Sequence, residues 1–361
     1  MRSPKKILVT GGAGFIGSNF LHYLLCSTDF DGIVVNVDKL TYAGNRENLI
    51  DLKAKHDQKR YFFERADICD SESIADIFAA YEIDAVVHFA AESHVDRSIL
   101  GPGNFVHANV VGTYVLLEAA RKAWADGHGC VFHHVSTDEV YGSLGPNGRF
   151  TETSAYNPRS PYSASKASSD FLVRAYHHTY GLPVTLSNCS NNFGPYQFPE
   201  KLIPLMILNM LKSEKLPVYG DGKNVRDWIY VIDHNAAVWL IVTQGVLGET
   251  YNVGGDSEWE NIKLVEYLCE KVAQARGLPT DTYEPLVTFV KDRPGHDRRY
   301  ALDCEKIKAD LGWSADVGFA RGIERTIQWY LDNSEWVRNV ETGAYQKWLK
   351  ENYQGREELD V

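Results

Sequence analysis

The stretch His133–Gly142, HHVSTDEVYG, sets a hydroxyl and two carboxyls side by side where an apolar run gives way to polar residues: Thr137, Asp138 and Glu139. Two adjacent acids in one site do not ionise equally, because the charge on one holds the proton on the other. Such a pair can divide the work of an acid and a base. Further along, YSASK places Tyr162 and Lys166 four residues apart, on one face of a helix. An ammonium beside a phenol favours the phenolate and makes it a usable general base. Thr137, at the expected end of a strand, is suited to hydrogen-bond the same substrate oxygen that Tyr162 deprotonates. Nearer the start, TGGAGFIG carries Gly11, Gly14 and Gly17 between an expected strand and an expected helix. Glycines there let the backbone approach a pyrophosphate, and the helix N-terminus offers free N–H groups. Asp38 follows about 20 residues on, where an acid accepts hydrogen bonds from a ribose 2′-hydroxyl and repels a 2′-phosphate. That favours NAD over NADP. Asp67 is a candidate for the adenine amino group, or for a loop cap.

These groups need a scaffold that brings strand ends together. Lys6–Thr10, Gly32–Asp38, Tyr61–Ile68, Ala85–Ala91 and Cys130–Ser136 are apolar runs without alternation, the pattern of strands covered on both faces. Helical spacing fills the intervals, as in Phe15–Cys26 and Asn109–Trp124. Repeated βα units predict an α/β fold: a Rossmann-type doubly wound parallel sheet. The last third is richer in glycine and proline and reads as a smaller C-terminal α+β substrate lobe. The expected division is an NAD-binding domain over 1–190, with late strands from the C-terminal half, and an interleaved lobe over 191–361.

Composition narrows the function classes. The chain has 361 residues, enough for a large core, and no apolar run approaches a membrane span of ~18 residues. The start, MRSPKKILVTGG, enters a strand directly and lacks a signal-peptide core, so the expected location is cytoplasmic. A net charge of −11 with no basic stripe argues against nucleic acid. The six cysteines are scattered with no CxxC pair, which predicts reduced core thiols and no metal site. His133–His134 and His177–His178 read as packed or solvated rather than as metal ligands.

Several segments together resemble the nucleotide-sugar branch of the extended short-chain dehydrogenase/reductase family. They are TGGAGFIG, VDKLTYAGN (Val37–Asn45), FAAESHVDRS (Phe89–Ser98), STDEVYG (Ser136–Gly142), SPYSASKASSD (Ser160–Asp170), NCSNNFGPYQFPEKLIP (Asn188–Pro204) and DRPGHDRRYA (Asp292–Ala301). The glycine loop and Tyr-x-x-x-Lys mark the whole superfamily. The Thr-Asp-Glu triplet and the Asp-Arg-Pro-Gly-His segment are similar to its 4,6-dehydratases. Phe193 departs from the tyrosine expected there, and Ser143–Pro158 looks short.

The resemblance implies a hydro-lyase that converts dTDP-glucose to dTDP-4-keto-6-deoxyglucose, with NAD bound tightly and recycled each turnover. C4 is oxidised, water is eliminated across C5 and C6, and hydride returns to C6. Catalysis then falls to Tyr162, Lys166 and Thr137, with Glu139 as base at C5 and Asp138 as acid at the C6 hydroxyl. The implied cofactor contacts begin with Gly11, Ala13, Gly14, Phe15, Ile16 and Gly17, then Asp38, Lys39, Leu40, Thr41 and Gly44. They continue through Asp67, Ile68, Phe89, Ala90, Ala91, Ser93 and Ala108 to Tyr162, Lys166 and Asn192. The implied substrate contacts are Ser93, Thr137, Asn191, Lys201, Leu202, Pro217, Val218, Tyr219, Arg226 and Asn261, with Asp292, Arg293, Pro294, Gly295 and His296. Arg226 and Arg293 suit the diphosphate, since a planar guanidinium holds two oxygens at once. The resemblance also implies a homodimer, joined through the helices around Phe105–Ala120 and Ser168–Gly181. The alternatives are a UDP-glucose 4,6-dehydratase, a nucleotide-sugar 4-epimerase or a non-catalytic NAD sensor. The acid pair speaks against the epimerase, and the intact Tyr and Lys against the sensor.

Overall fold

The computed structural model describes residues 1–56, 59–124 and 129–341. Six strands run along the first half: β1 (Lys6–Thr10), β2 (Ile33–Val37), β3 (Tyr61–Glu64), β4 (Ala85–His88), β5 (Val131–Thr137) and β6 (Val184–Cys189). Beyond them come β7 (Asn191–Phe193), β8 (Leu216–Tyr219), β9 (Val225–Tyr230), β10 (Thr250–Val253), β11 (Glu258–Glu260) and β12 (Val287–Val290). The main sheet has the order β10-β6-β5-β4-β1-β2-β3, every neighbouring pair parallel. The chain runs outward from β1 to β3, then returns to β4 on the other side of β1. Strand order therefore reverses between β1 and β4, and a crevice opens there beyond the strands' carboxyl ends.

The unbroken apolar runs reflect burial on both faces. Every residue of β4 and β5 is buried. On one face, Phe20, Leu21 and Leu24 of the helix Phe15–Ser27 meet Ile7 and Val9 of β1. Val238 and Val242 of the helix Val231–Gln244 join that cluster. On the other face, Ile74, Phe78, Leu116 and Val173 cover Leu8, Val86 and Phe132. The strands expected to reach Ile68 and Ala91 stop at Glu64 and His88. The chain leaves the sheet at those points to line the crevice, so its apolar residues there are used by the site. The helix expected from Asn109 opens instead with a π-helical turn, Val106–Val111, running into Gly112–Ala123.

After β6 the chain builds two small sheets, β11-β9-β7 and β12-β8, around a second core. Phe193 lies wholly inside that core, against Trp228, Tyr230 and Phe319, where no hydroxyl would find water. Among the described residues, the one late strand that joins the main sheet is β10, beside β6.

All six cysteines are free thiols, but only Cys189 and Cys269 are buried, and Cys26 is exposed. The expectation of core thiols is corrected to that extent. The adjacent histidines of β5 point to opposite faces. His133 bonds Thr185 and Ser187, whereas His134 faces Lys166 and Asp170. Among the described residues, no helix is long and apolar enough to cross a membrane.

Candidate active site

The crevice holds a cleft of about 540 Å³, within the ~300–1,000 Å³ range of small-molecule sites. Its floor is the glycine loop. Gly11 has φ +70°, and a Cβ there would sit 2.7 Å from the backbone of Ala90. A Cβ on Gly17 would sit 2.4 Å from the Gly11 carbonyl oxygen. Backbone surrounds both positions, so only hydrogen leaves this cradle open, which fits a pyrophosphate lying against it. Asp38 closes the end of β2. Its carboxylate accepts from the Ala13 N–H at 2.9 Å and the Leu40 N–H at 2.8 Å. A carboxylate has further lone pairs for ribose hydroxyls. All the cofactor residues expected from the sequence line this cleft except Ala13 and Leu40, which stand behind it bracing Asp38. Asp67 lines the cleft but is paired with the Lys39 ammonium at 2.6 Å. Asp67, Cys69 and His107 bring one ligand atom each within 4.8 Å of one another, although that lysine already balances the carboxylate.

The reacting end lies where β5 stops. Thr137 ends the strand, and Asp138–Tyr141 form a single tight turn. The Thr137 hydroxyl caps that turn, accepting from the Glu139 N–H at 3.3 Å and donating to Asp138 Oδ1 at 3.3 Å. Asp138 is 2% exposed, and its Oδ2 is buried without a hydrogen-bond partner. Burial, then the charges of Glu139 and Asp227, push its carboxyl well above the ordinary range. Glu139 is also raised by burial, but Arg293, Arg226 and Lys201 pull it back. Both carboxyls are thus raised, but anions add to the burial of Asp138 whereas cations offset that of Glu139.

Tyr162 and Lys166 come from the first turns of the helix Pro161–Tyr180, which a Ser160–Ser163 capping box starts. Both are buried. Lys166 lines the same cleft as Tyr162 and is fixed by two contacts that its spacing did not announce. Its ammonium donates to the Val135 carbonyl at 2.9 Å and lies 3.3 Å from His134 Nε2. Burial pushes that amine down to about 8, with Asp170 opposing. Tyr162 is raised well above the ordinary phenol, first by burial and then by Glu139 and Cys189, while a hydrogen bond with Thr137 opposes.

A second cleft adjoins the first, and Ser93, Glu139, Asn191, Asn192, Gln197, Glu200 and Lys201 line both. Glu139 therefore stands where the two meet. Of the expected substrate residues, Ser93, Asn191, Lys201, Leu202, Pro217, Val218, Tyr219, Arg226, Asn261, Arg293 and His296 line this second cleft. Asp292, Pro294 and Gly295 do not, and Thr137 lines the first cleft only. Asp292 instead faces the His296 ring at 2.6 Å. Arg226 is fixed in place: it donates to the Asp297 carbonyl at 2.9 Å and lies 4.2 Å over the Tyr300 ring. Arg293 pairs with Asp96 at 3.5 Å. Sequence reasoning missed His94, Asp96, Gln197, Glu200 and Trp228 on this wall. It also missed the clasp between the clefts, where Arg97 and Tyr42 both bond Glu200, at 3.1 and 3.0 Å. No short-range spacing signals it, because Tyr42 and Glu200 lie 158 residues apart.

Comparison with known proteins agrees with this geometry. Residues 8–326 match the family model described as GDP-mannose 4,6 dehydratase. The chain is 55% identical to dTDP-glucose 4,6-dehydratase 1 of Escherichia coli (strain K12), covering 98% of this chain and 100% of that protein. Among solved structures, a double mutant of DesIV, a dTDP-glucose 4,6-dehydratase from Streptomyces venezuelae with NAD bound, superposes with a TM-score of 0.85. It is 46% identical and covers 93% of this chain and 99% of that one. A UDP-glucose 4-epimerase from Thermotoga maritima, 29% identical, gives a TM-score of 0.80 over 91% of this chain and 99% of its own. By sequence and by structure alike, the chain belongs to the GDP-mannose 4,6 dehydratase family of extended short-chain dehydrogenases/reductases, in its dTDP-glucose 4,6-dehydratase branch.

Proposed function

We propose that this protein is a hydro-lyase that uses NAD to convert dTDP-glucose to dTDP-4-keto-6-deoxyglucose. The observation that carries the reading is the Asp138–Glu139 pair, buried in the cleft that also holds Tyr162 and Lys166, with anions beside the first and cations beside the second. An epimerase that oxidises and re-reduces C4 has no use for two further acids.

Thr137 and Tyr162 address the C4 hydroxyl, and Tyr162 takes its proton. Lys166, anchored on the Val135 carbonyl, brings a positive charge to the cofactor side of the site. The resulting ketone acidifies C5, and Glu139 takes that proton. Asp138, kept protonated by burial, gives its proton to the departing C6 hydroxyl, which leaves as water. Glu139 then returns a proton to C5. When bound, NAD would supply the hydride acceptor for C4 and the donor for C6. The glycine loop and Asp38 hold it, and because the redox change closes within one turnover it is retained. Arg226 and Arg293 hold the substrate diphosphate, and residues 1–190 with β10 form the NAD-binding part.

The same reading includes a homodimer. Leu100, Val106, Tyr114, Phe171 and Tyr180 are large apolar side chains exposed on the helices between Val95 and Tyr180, Leu100 by 77% and Phe171 by 56%. A run of apolar groups on neighbouring helices supports pairing with a second copy. Six unpaired thiols suit the reducing cytoplasm.

The test is incubation with dTDP-, UDP-, CDP- and GDP-glucose side by side. The 4-keto-6-deoxy sugar is read by its alkali-induced ultraviolet absorbance. The expected outcome is product from dTDP-glucose above the others. No keto sugar from any of them would refute the assignment.

A further inference from the structure

The assigned roles leave one proton out of place after each turnover. Tyr162 ends as a neutral phenol, having taken the C4 hydroxyl proton. Glu139 returns what it took. Asp138 ends as a carboxylate, because its proton has left in the water. The next turnover needs the phenolate and the carboxylic acid back, so one proton must pass from Tyr162 to Asp138. Neither group is placed for ready exchange with solvent, since Tyr162 is 9% exposed and Asp138 2%.

Thr137 lies between them. Its hydroxyl donates to Asp138 Oδ1 at 3.3 Å, and it lines the same cleft as Tyr162, where it opposes the raising of the phenol. The Glu139 N–H fixes that hydroxyl from a third side, at 3.3 Å. We propose that Thr137 is the proton carrier that resets the site between turnovers, an inference that rests on the dehydratase reading above. The Thr137 O–H bond breaks as its proton moves to Asp138 Oδ1, while the Tyr162 O–H bond breaks and its proton moves to Thr137 Oγ1. Two O–H bonds break and two form, no electrons are exchanged, and threonine ends as it began. A half-turn of the carboxyl exchanges its two oxygens and presents the proton again. Bound NAD in its oxidised form would supply positive charge that favours the phenolate.

The arrangement also explains why hydroxyl and acid are consecutive. A strand end followed by a tight turn places side chains i and i+1 within reach of each other, and the same hydroxyl caps the turn.

The test is rapid-quench measurement of keto-sugar formation by the NAD-loaded enzyme, with dTDP-glucose in excess over sites. Thr137→Ala and Thr137→Val also lose the C4 contact, so each is expected to slow in the first turnover, form one product per site, and then slow by a further ~10²-fold, the scale of losing a positioned proton carrier. Thr137→Ser keeps the hydroxyl and is expected to show no such break. Valine matches threonine in volume, so a packing defect in the alanine variant does not decide the outcome. Equal slowing of the first and later turnovers in both variants, with no burst, would overturn the relay and leave Thr137 as a substrate contact. An inactive wild-type enzyme would instead refute the dehydratase reading.

Discussion

The claim that Asp138 enters the reaction protonated can be tested without the reaction. An acid whose folded pKa lies above its unfolded value binds more protons in the native state across that interval. Stability then falls as pH rises through the interval, by ~1.4 kcal/mol per pH unit, beginning near the unfolded aspartate value of about 3.9. Asp138 meets this condition: it is buried, faces Glu139 and Asp227, and leaves Oδ2 without a partner. D138N keeps the shape and removes the titration. An amide with an unmet hydrogen bond costs the same at every pH, so only the slope is diagnostic. Urea unfolding of wild type and D138N, both saturated with NAD, is compared at about pH 5 and about pH 8. The variant should gain on the wild type as pH rises over that range. Coupling to Glu139 spreads part of the change over both groups. Turnover should fall by ~10²–10⁴, the usual effect of losing a general acid. A stability difference that is flat with pH, or that moves against the variant, would show Asp138 ionised in the resting protein. It could not then be the acid at C6.

Glu139→Gln should still oxidise C4 and then stall, with the absorbance of reduced nicotinamide building up in a single turnover and little solvent deuterium entering C5. If it instead blocks oxidation as fully as Tyr162→Phe does, with substrate still bound, the division of roles is wrong. Gly17→Ala puts a Cβ 2.4 Å from the Gly11 carbonyl oxygen, with backbone all around. Overpacking of ~1–3 kcal/mol should outweigh the ~1 kcal/mol gained in helix propensity, and the purified variant should release little nicotinamide on denaturation. Asp38→Ala removes the acceptor of two backbone N–H groups as well as the ribose contact. It should cost ~1–3 kcal/mol of stability and relax discrimination against NADP, measured by titration with both dinucleotides. Phe171→Glu, on the exposed apolar face, should shift sedimentation toward the monomer while leaving NAD bound.

Local signals in the sequence carried most of the first cleft. Glycine spacing, a strand-end acid and Tyr-x-x-x-Lys are short-range patterns, and each reports a backbone shape that a few residues impose. The same holds for β1, whose limits match the apolar run from Lys6 to Thr10. What stayed hidden depends on contacts between distant segments. The Lys166 ammonium goes to the Val135 carbonyl and His134, 31 and 32 residues away, and helical spacing alone said nothing of that. The pairing of Arg293 with Asp96 joins positions 197 apart. Phe193 was legible as a departure but not as harmless, because its surroundings come from Trp228, Tyr230 and Phe319. Strand ends ran long for the opposite reason. Ala66, Ile68 and Phe89 to Ala91 are apolar and line the cleft. Hydropathy alone does not separate a buried strand from the wall of a pocket.

The position of β10 has a consequence for how the chain can be made and divided. The main sheet closes on one side with Thr250–Val253, beside β6, whose own residues end at Cys189. A ribosome must therefore emit some 60 residues of the following lobe, β7 to β9 among them, before the sheet gains its last strand. Until then β6 is a bare edge, offering its backbone groups to any passing strand. Cutting the gene near residue 190 would make that state permanent, yielding a fragment prone to self-association rather than an isolated NAD-binding module. The two parts of this enzyme are thus bound to be inherited, expressed and recombined as one piece.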